Sequence, residues 1–229
     1  MPRPGYWLLR GGWPRAAARE QVAAAYLDPT ELSALAALPA LARDDRLRGR
    51  VAVKDAVRAW LAERGVRGIQ PPDIQVDNDA AGRPRVRVGG PHGLVGAPAV
   101  SVAHRRPVAV AAVGPPGEAT GIDLEVVEPR GSVFARLALT AGELHLGDAA
   151  GIGRDEWVTR AWTVKEAVAK AAGTGLRGRP KDFVVREVDG DRVRATGPDA
   201  PGGLWVRSSR EDDLVVSVVL GRDESFPDA

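Results

Sequence analysis

The sequence predicts an α/β (α+β) protein made of two similar halves, and three repeated signals predict it. Val-Lys-Asp-Ala-Val at Val53–Val57 is matched by Val-Lys-Glu-Ala-Val at Val164–Val168. In each half a proline-containing turn and an aspartate then lead into an apolar segment, Pro-Pro-Asp-Ile-Gln-Val from Pro71 and Pro-Lys-Asp-Phe-Val-Val from Pro180. Each half closes on an apolar run that ends in glycine, one from Val108 and one from Leu214. The same order at offsets of about 110 residues implies an internal duplication. We expect two pseudo-twofold-related halves, residues 1–116 and 117–229, each a small, mainly antiparallel sheet packed on a long helix. The cleft between such halves is a preferred place for a ligand.

Taken in order, Tyr6–Leu9 reads as a first strand, and Pro14–Ala42 is rich in alanine and leucine. Asp28-Pro-Thr-Glu has the form of a helix start, and Pro39 marks a local break. Asp45–Arg64 reads as a helix with Gly49, Val53, Ala56, Val57 and Trp60 facing inward. Asp73–Val76 and Arg85–Val88 read as strands around a turn at Asp77–Gly82, followed by strands at Val100–His104 and Val108–Val113. Gly114-Pro-Pro-Gly117 is the strongest punctuation. Beyond it come a strand at Gly121–Val126 and a helical stretch, Val133–Leu146, with Thr140 as a cap. The next helix carries an apolar stripe of Trp157, Ala161, Val164, Val168 and Ala171; Asp155 is expected to cap its start, and Gly173 and Gly175 to end it. Phe183–Glu187, Arg192–Ala195, Leu204–Ser208 and Leu214–Leu220 read as strands, and the last eight residues as a frayed end.

The chain has 229 residues, a formal net charge of +2 and no cysteine. That composition excludes disulfides, cysteine-ligated metal sites and a thiol nucleophile. The N-terminus lacks the apolar core of a signal peptide, and no run reaches the roughly 18 apolar residues of a membrane helix. A cytoplasmic protein with no membrane partner is expected. Arg46, Arg50, Lys54 and Arg58 fall at four-residue steps and would draw a basic ridge along their helix, a surface for phosphates, an acidic protein or water. Few aromatics are interleaved with these charges, so nucleic acid is not the expected partner.

Two groups of residues carry the chemistry. In Gly-Ile-Asp-Leu-Glu, Asp123 and Glu125 are two apart on a strand, so both carboxylates emerge on one face, where each prefers an opposite charge, a proton or a metal. The plain alternative is a polar strand face. Glu166 and Lys170 share a helix face; the plain alternative there is a solvated i,i+4 ion pair worth a few tenths of a kcal/mol. Earlier in the chain His104 ends a strand just before Arg105 and Arg106, and Arg83 sits in a turn. His92 and His145 have no supporting neighbours and read as surface residues. The hydrolase, zinc-protease, P-loop and dinucleotide fingerprints are absent.

The order of motifs, Ser-Val-Ala-His104, then Gly121–Glu125, then Trp-Thr-Val-Lys-Glu-Ala-Val-Ala-Lys at Trp162–Lys170, resembles the larger, surfactin-synthetase-type 4′-phosphopantetheinyl transferases. The segment Arg46–Leu61 further resembles versions found with polyketide synthases. The resemblance implies an Mg²⁺-dependent enzyme that moves the phosphopantetheine arm of coenzyme A to a serine of an apo acyl or peptidyl carrier protein, acting as a monomer. It implies Asp123, Glu125 and Glu166 as metal ligands, and Glu166 also as the base. Lys170 would neutralise the pyrophosphate, with Lys165 as a second candidate. His104, Arg83 and Arg46 would meet coenzyme A phosphates. Three departures bear on coenzyme A: Ala103 where serine is frequent, Arg105 where a small polar residue is common, and Arg83 for lysine. The alternative is a non-catalytic module that binds the carrier protein on the same scaffold.

Overall fold

The structure is a computed structural model that describes residues 2–3, 6–9, 16–89 and 97–221, with side chains from 18 to 89 and from 97 to 220. His92 and the final eight residues lie outside these ranges. The chain divides into two compact units, Met1–Glu118 and Ala119–Ala229.

The first unit runs β1 (Pro2–Arg3), β2 (Tyr6–Leu9), α1 (Ala16–Tyr26), α2 (Pro29–Ala36), α3 (Ala40–Glu63), a 3₁₀ turn at Pro71–Asp73, β3 (Ile74–Asn78), β4 (Pro84–Val88), β5 (Ala99–Arg105) and β6 (Val108–Gly114). An antiparallel sheet has the order β1-β2-β6-β5, and β3 and β4 form a separate hairpin. The core forms where Val53, Ala56 and Val57 of α3 meet Ile74, Val76, Val86 and Val88 of the hairpin and Ala109 and Ala111 of β6. The helix begins five residues before the expected Asp45, with Pro39 as its N-cap, because a proline that breaks one helix is well placed to precede the next.

The second unit runs β7 (Ile122–Val126), α4 (Ser132–Ala138), α5 (Ala141–Ala149), α6 (Arg154–Ala171), a 3₁₀ turn at Pro180–Asp182, β8 (Val184–Asp189), β9 (Arg192–Gly197), β10 (Ala200–Glu211) and β11 (Leu214–Gly221). Its sheet is continuous and antiparallel, in the order β7-β11-β10-β9-β8. Of the predicted stripe of α6, Trp157, Ala161, Val164 and Val168 are at most 2% exposed in the core of the unit, and Ala171 is half-buried against it. Asp155 does not cap this helix; the N-cap is Gly153, and Asp155 lies in the first turn, where its charge still favours the helix dipole. At the other end Gly173 takes a left-handed conformation and donates to the Lys170 carbonyl, as a C-cap glycine should.

Each unit contains the same internal fastening. Asp28 caps α2 and Thr140 caps α5, and each cap is completed by a glutamate three residues on, Glu31 and Glu143. Lys54 of α3 donates to Glu31 and, at 2.7 Å, to the carbonyl of Tyr26. Lys165 of α6 donates to Glu143 at 2.9 Å and to the carbonyl of Ala138 at 2.7 Å. The second oxygen of each glutamate accepts from the strand after the 3₁₀ turn, Val76 N–H at 3.4 Å and Val185 N–H at 2.9 Å. Both lysine side chains are 0% exposed. Burial lowers both lysine pKa values, and the adjoining carboxylates oppose that shift. Removing one partner of such a pair strands a buried charge, at a cost of about 3–5 kcal/mol.

Candidate active site

The Gly-x-Asp-x-Glu segment acquires its shape from close contact with α6. A Cβ on Gly121 would lie 2.0 Å from the Ala167 carbonyl oxygen and 2.9 Å from the Ala171 nitrogen, so no side chain fits there. The strand is thereby laid against the helix, with Ile122 and Leu124 buried and Asp123 on the opposite strand face. Lys170 reaches across from α6 and donates to Asp123 Oδ1 at 2.7 Å and to the Ile122 carbonyl at 3.1 Å. The local alternative, a Glu166–Lys170 pair along the helix, does not form: Lys170 is held by the strand. A buried hydroxyl chain adds a second tie between α6 and the sheet, Thr163 to Ser217 at 2.7 Å and Ser217 to Ser208 at 2.9 Å. Ser217 is the cross-strand partner of Asp123.

Glu125 accepts from Arg130 at 3.2 Å. The same guanidinium lies 5.1 Å from the ring of Phe134, which in turn packs on Trp162 of α6 at 5.2 Å. The sequence reading missed Arg130; its signal was the Glu-Pro-Arg turn directly after the strand. Glu166 differs from both strand acids. Half-buried, it makes no hydrogen bond or ion pair among the described residues.

The electrostatics link these groups. Burial raises the Asp123 pKa first; Lys170 opposes the shift and Glu125 adds to it. Burial also raises Glu166, Asp123 raises it further, and Lys170 opposes. The donor set is all oxygen, which suits a hard divalent cation, and such a charge would relieve the repulsion. Among the described residues, however, no three acidic or histidine side chains converge closely enough to hold an ion. The reason is visible in the contacts: Lys170 and Arg130 draw the two strand carboxylates toward themselves.

Lys165 is not part of this surface. Fully buried and paired with Glu143, it is out of reach of a coenzyme A phosphate, which corrects the expectation that it is a second phosphate contact. The signal for its burial was in the sequence, since valine and alanine surround it in Val-Lys-Glu-Ala-Val.

In the first unit, Arg46 and His104 line one hollow of about 440 Å³, with Asp45, Arg50, Gly82 and Pro84 also in its wall. That volume falls within the usual range for ligand pockets, about 300–1,000 Å³. Burial and the neighbouring Arg46 pull the Arg50 pKa down to about 10. Arg83 follows Gly82 in the turn but donates to Asp79 at 2.9 Å. Arg105 is exposed on β5 next to His104, whereas Ala103 is buried on the other strand face, so a hydroxyl at 103 would not share the side of His104. The expected basic ridge does not exist as a solvent face. Arg46 is exposed, but Arg50 and Lys54 turn onto Glu31 and Arg58 onto Asp55. His145 is exposed, as expected.

Among the described residues no helix is long and apolar enough to cross a membrane. No curated protein matches the chain. The family model of ACPS, the 4′-phosphopantetheinyl transferase superfamily, matches residues 119–219. Asp123, Glu125, Glu166 and Lys170 thus lie together inside a stretch that matches the 4′-phosphopantetheinyl transferase superfamily.

Proposed function

We propose that the chain is a transferase that moves the 4′-phosphopantetheine group of coenzyme A onto a serine hydroxyl of an apo acyl or peptidyl carrier protein. It releases adenosine 3′,5′-bisphosphate and acts as a monomer in the cytoplasm. The observation that carries this reading is Lys170 fixed on Asp123 at 2.7 Å, on a helix whose Glu166 carboxyl makes no hydrogen bond or ion pair among the described residues. The narrower resemblance at Arg46–Leu61 favours carrier domains of polyketide synthases as substrates.

Asp123, Glu125 and Glu166 are the residues that would hold Mg²⁺, and their side chains would have to draw closer together than they stand to do so. When bound, the ion supplies neutralisation of the negative charge that grows on the phosphoryl group and the leaving oxygen. Lys170 adds a fixed positive charge at the pyrophosphate, held in place by its hydrogen bonds to Asp123 and Ile122. The serine oxygen bonds to the phosphorus that carries pantetheine. The bond from that phosphorus to the bridging oxygen breaks, and its electron pair leaves with adenosine 3′,5′-bisphosphate. Glu166 is the proposed acceptor of the serine proton, and a bound Mg²⁺ would weaken it as a base, so its larger role is to hold the ion. Arg46 and His104, with Arg105 next to His104 in the chain and Arg83 next to Gly82 of the same hollow, are proposed to bind the phosphates of coenzyme A.

The test is intact mass of a panel of apo carrier proteins after incubation with the chain, coenzyme A and Mg²⁺. Gain of one phosphopantetheine on a carrier is expected. Carrier binding by calorimetry with no mass gain on any member would replace this reading with the non-catalytic binding module.

A further inference from the structure

We infer that the Glu143–Lys165 pair is a positioning device that sets the rotation of α6 about its own axis, and through it the place of Glu166; this rests on the function proposed above. Lys165 touches no surface on which a substrate could sit, yet its ammonium joins the end of α4, through the Ala138 carbonyl, to the start of α5, through Glu143. The other carboxylate oxygen of Glu143 holds the backbone of β8 at Val185. One point on α6 is therefore tied to three surrounding elements.

Glu166 is the next residue, about 100° further round the helix, and has no hydrogen bond or ion pair among the described residues to fix it. A side-chain tip about 5–6 Å from a helix axis moves roughly 1 Å for each 10° of rotation. Misplacement of a reacting group by about 1 Å can lower a rate about a hundredfold. The lysine next to the acid thus does for orientation what a hydrogen bond to the acid would otherwise do.

The molecule supplies its own control. Lys54 and Glu31 make the same buried pair in the first unit, again with a carbonyl and a strand N–H, and the following residue there is Asp55. Loss of a structural pair alone should be felt equally in the two units. Loss of a positioning pair should reach the chemistry only from the second.

The experiment compares Lys165→Met/Glu143→Gln with Lys54→Met/Glu31→Gln. Each double variant removes both charges together, which a fold tolerates better than one stranded charge, and glutamine keeps the capping box. Thermal midpoints, kcat and KM for a carrier protein, and binding of Mn²⁺ alone are measured for both. The expected result is a loss of about a hundredfold in kcat for the second-unit variant, with KM near wild type and weakened Mn²⁺ binding. The first-unit variant keeps kcat and Mn²⁺ binding. If the wild-type chain transfers and binds Mn²⁺ but the two variants behave alike, the positioning role is overturned and the proposed function stands. A wild-type chain that neither transfers nor binds Mn²⁺ overturns the proposed function and this inference together.

Discussion

Lys54 and Lys165 are fastened into their units in the same manner, whereas the acids that follow them, Asp55 and Glu166, have opposite fates. Asp55 accepts from the Tyr26 hydroxyl at 3.1 and 3.2 Å and pairs with Arg58 at 3.5 Å, which together oppose the rise in pKa that burial causes. Glu166 has no such partner among the described residues, and a neighbouring carboxylate raises its pKa further. The strands differ as well. β7 reads Ile-Asp-Leu-Glu-Val, while β2, which pairs with the closing strand of the first unit as β7 does with that of the second, reads Tyr-Trp-Leu-Leu. Where Lys170 stands in α6, the matching position of α3 is Ala59. Both units contain the same fastening, and among the described residues only the second leaves the following acid without a hydrogen bond or ion pair, beside a fixed lysine.

The sharpest way to break that contrast is Lys170→Ala, which makes the second unit resemble the first at this position. Transfer should fall about 10²–10³-fold, the usual scale for loss of one fixed charge-stabilising donor. Asp123, left without its partner, should lower stability by about 1–3 kcal/mol, seen in the urea midpoint. A smaller loss of activity follows from Gly121→Ala. The new methyl meets the backbone of α6, and overpacking of this kind costs about 1–3 kcal/mol, so a lower thermal midpoint and a reduced transfer rate should appear together. The smallest effect belongs to the first unit. The Arg106 hydrogen bond holds the Asp45 carboxyl below its ordinary value. A lowered folded pKa contributes stability above about pH 4, which is lost as pH falls through the folded value. Arg106→Ala should therefore lower stability slightly at neutral pH, leave it nearly unchanged below the folded pKa of Asp45, and so flatten the acid limb of the stability profile between them.

Much of this was legible in the sequence because its causes are local. The α6 stripe, the Thr140 cap, the glycine stop at Gly173 and the one-sided placement of Asp123 follow from helix and strand periods and from cap chemistry. What the sequence did not disclose depends on partners distant in the chain. Arg50 and Lys54 read as a ridge because four-residue spacing says which residues share a face, not whether Glu31 waits there to receive them. The Glu166–Lys170 pair was a fair expectation from spacing, and it gave way to Asp123, 47 residues away in the chain. Gly121 read as the edge of a motif; its reason is the backbone of α6 at contact distance.

The most direct measurement is the transfer rate of Glu166→Gln beside that of Asp55→Asn, on one carrier protein under one set of conditions. Chemistry confined to the open acid of the second unit predicts a loss of about 10²–10⁴-fold for Glu166→Gln, and a rate close to wild type for Asp55→Asn. Equal losses, or an active Glu166→Gln variant, would contradict it.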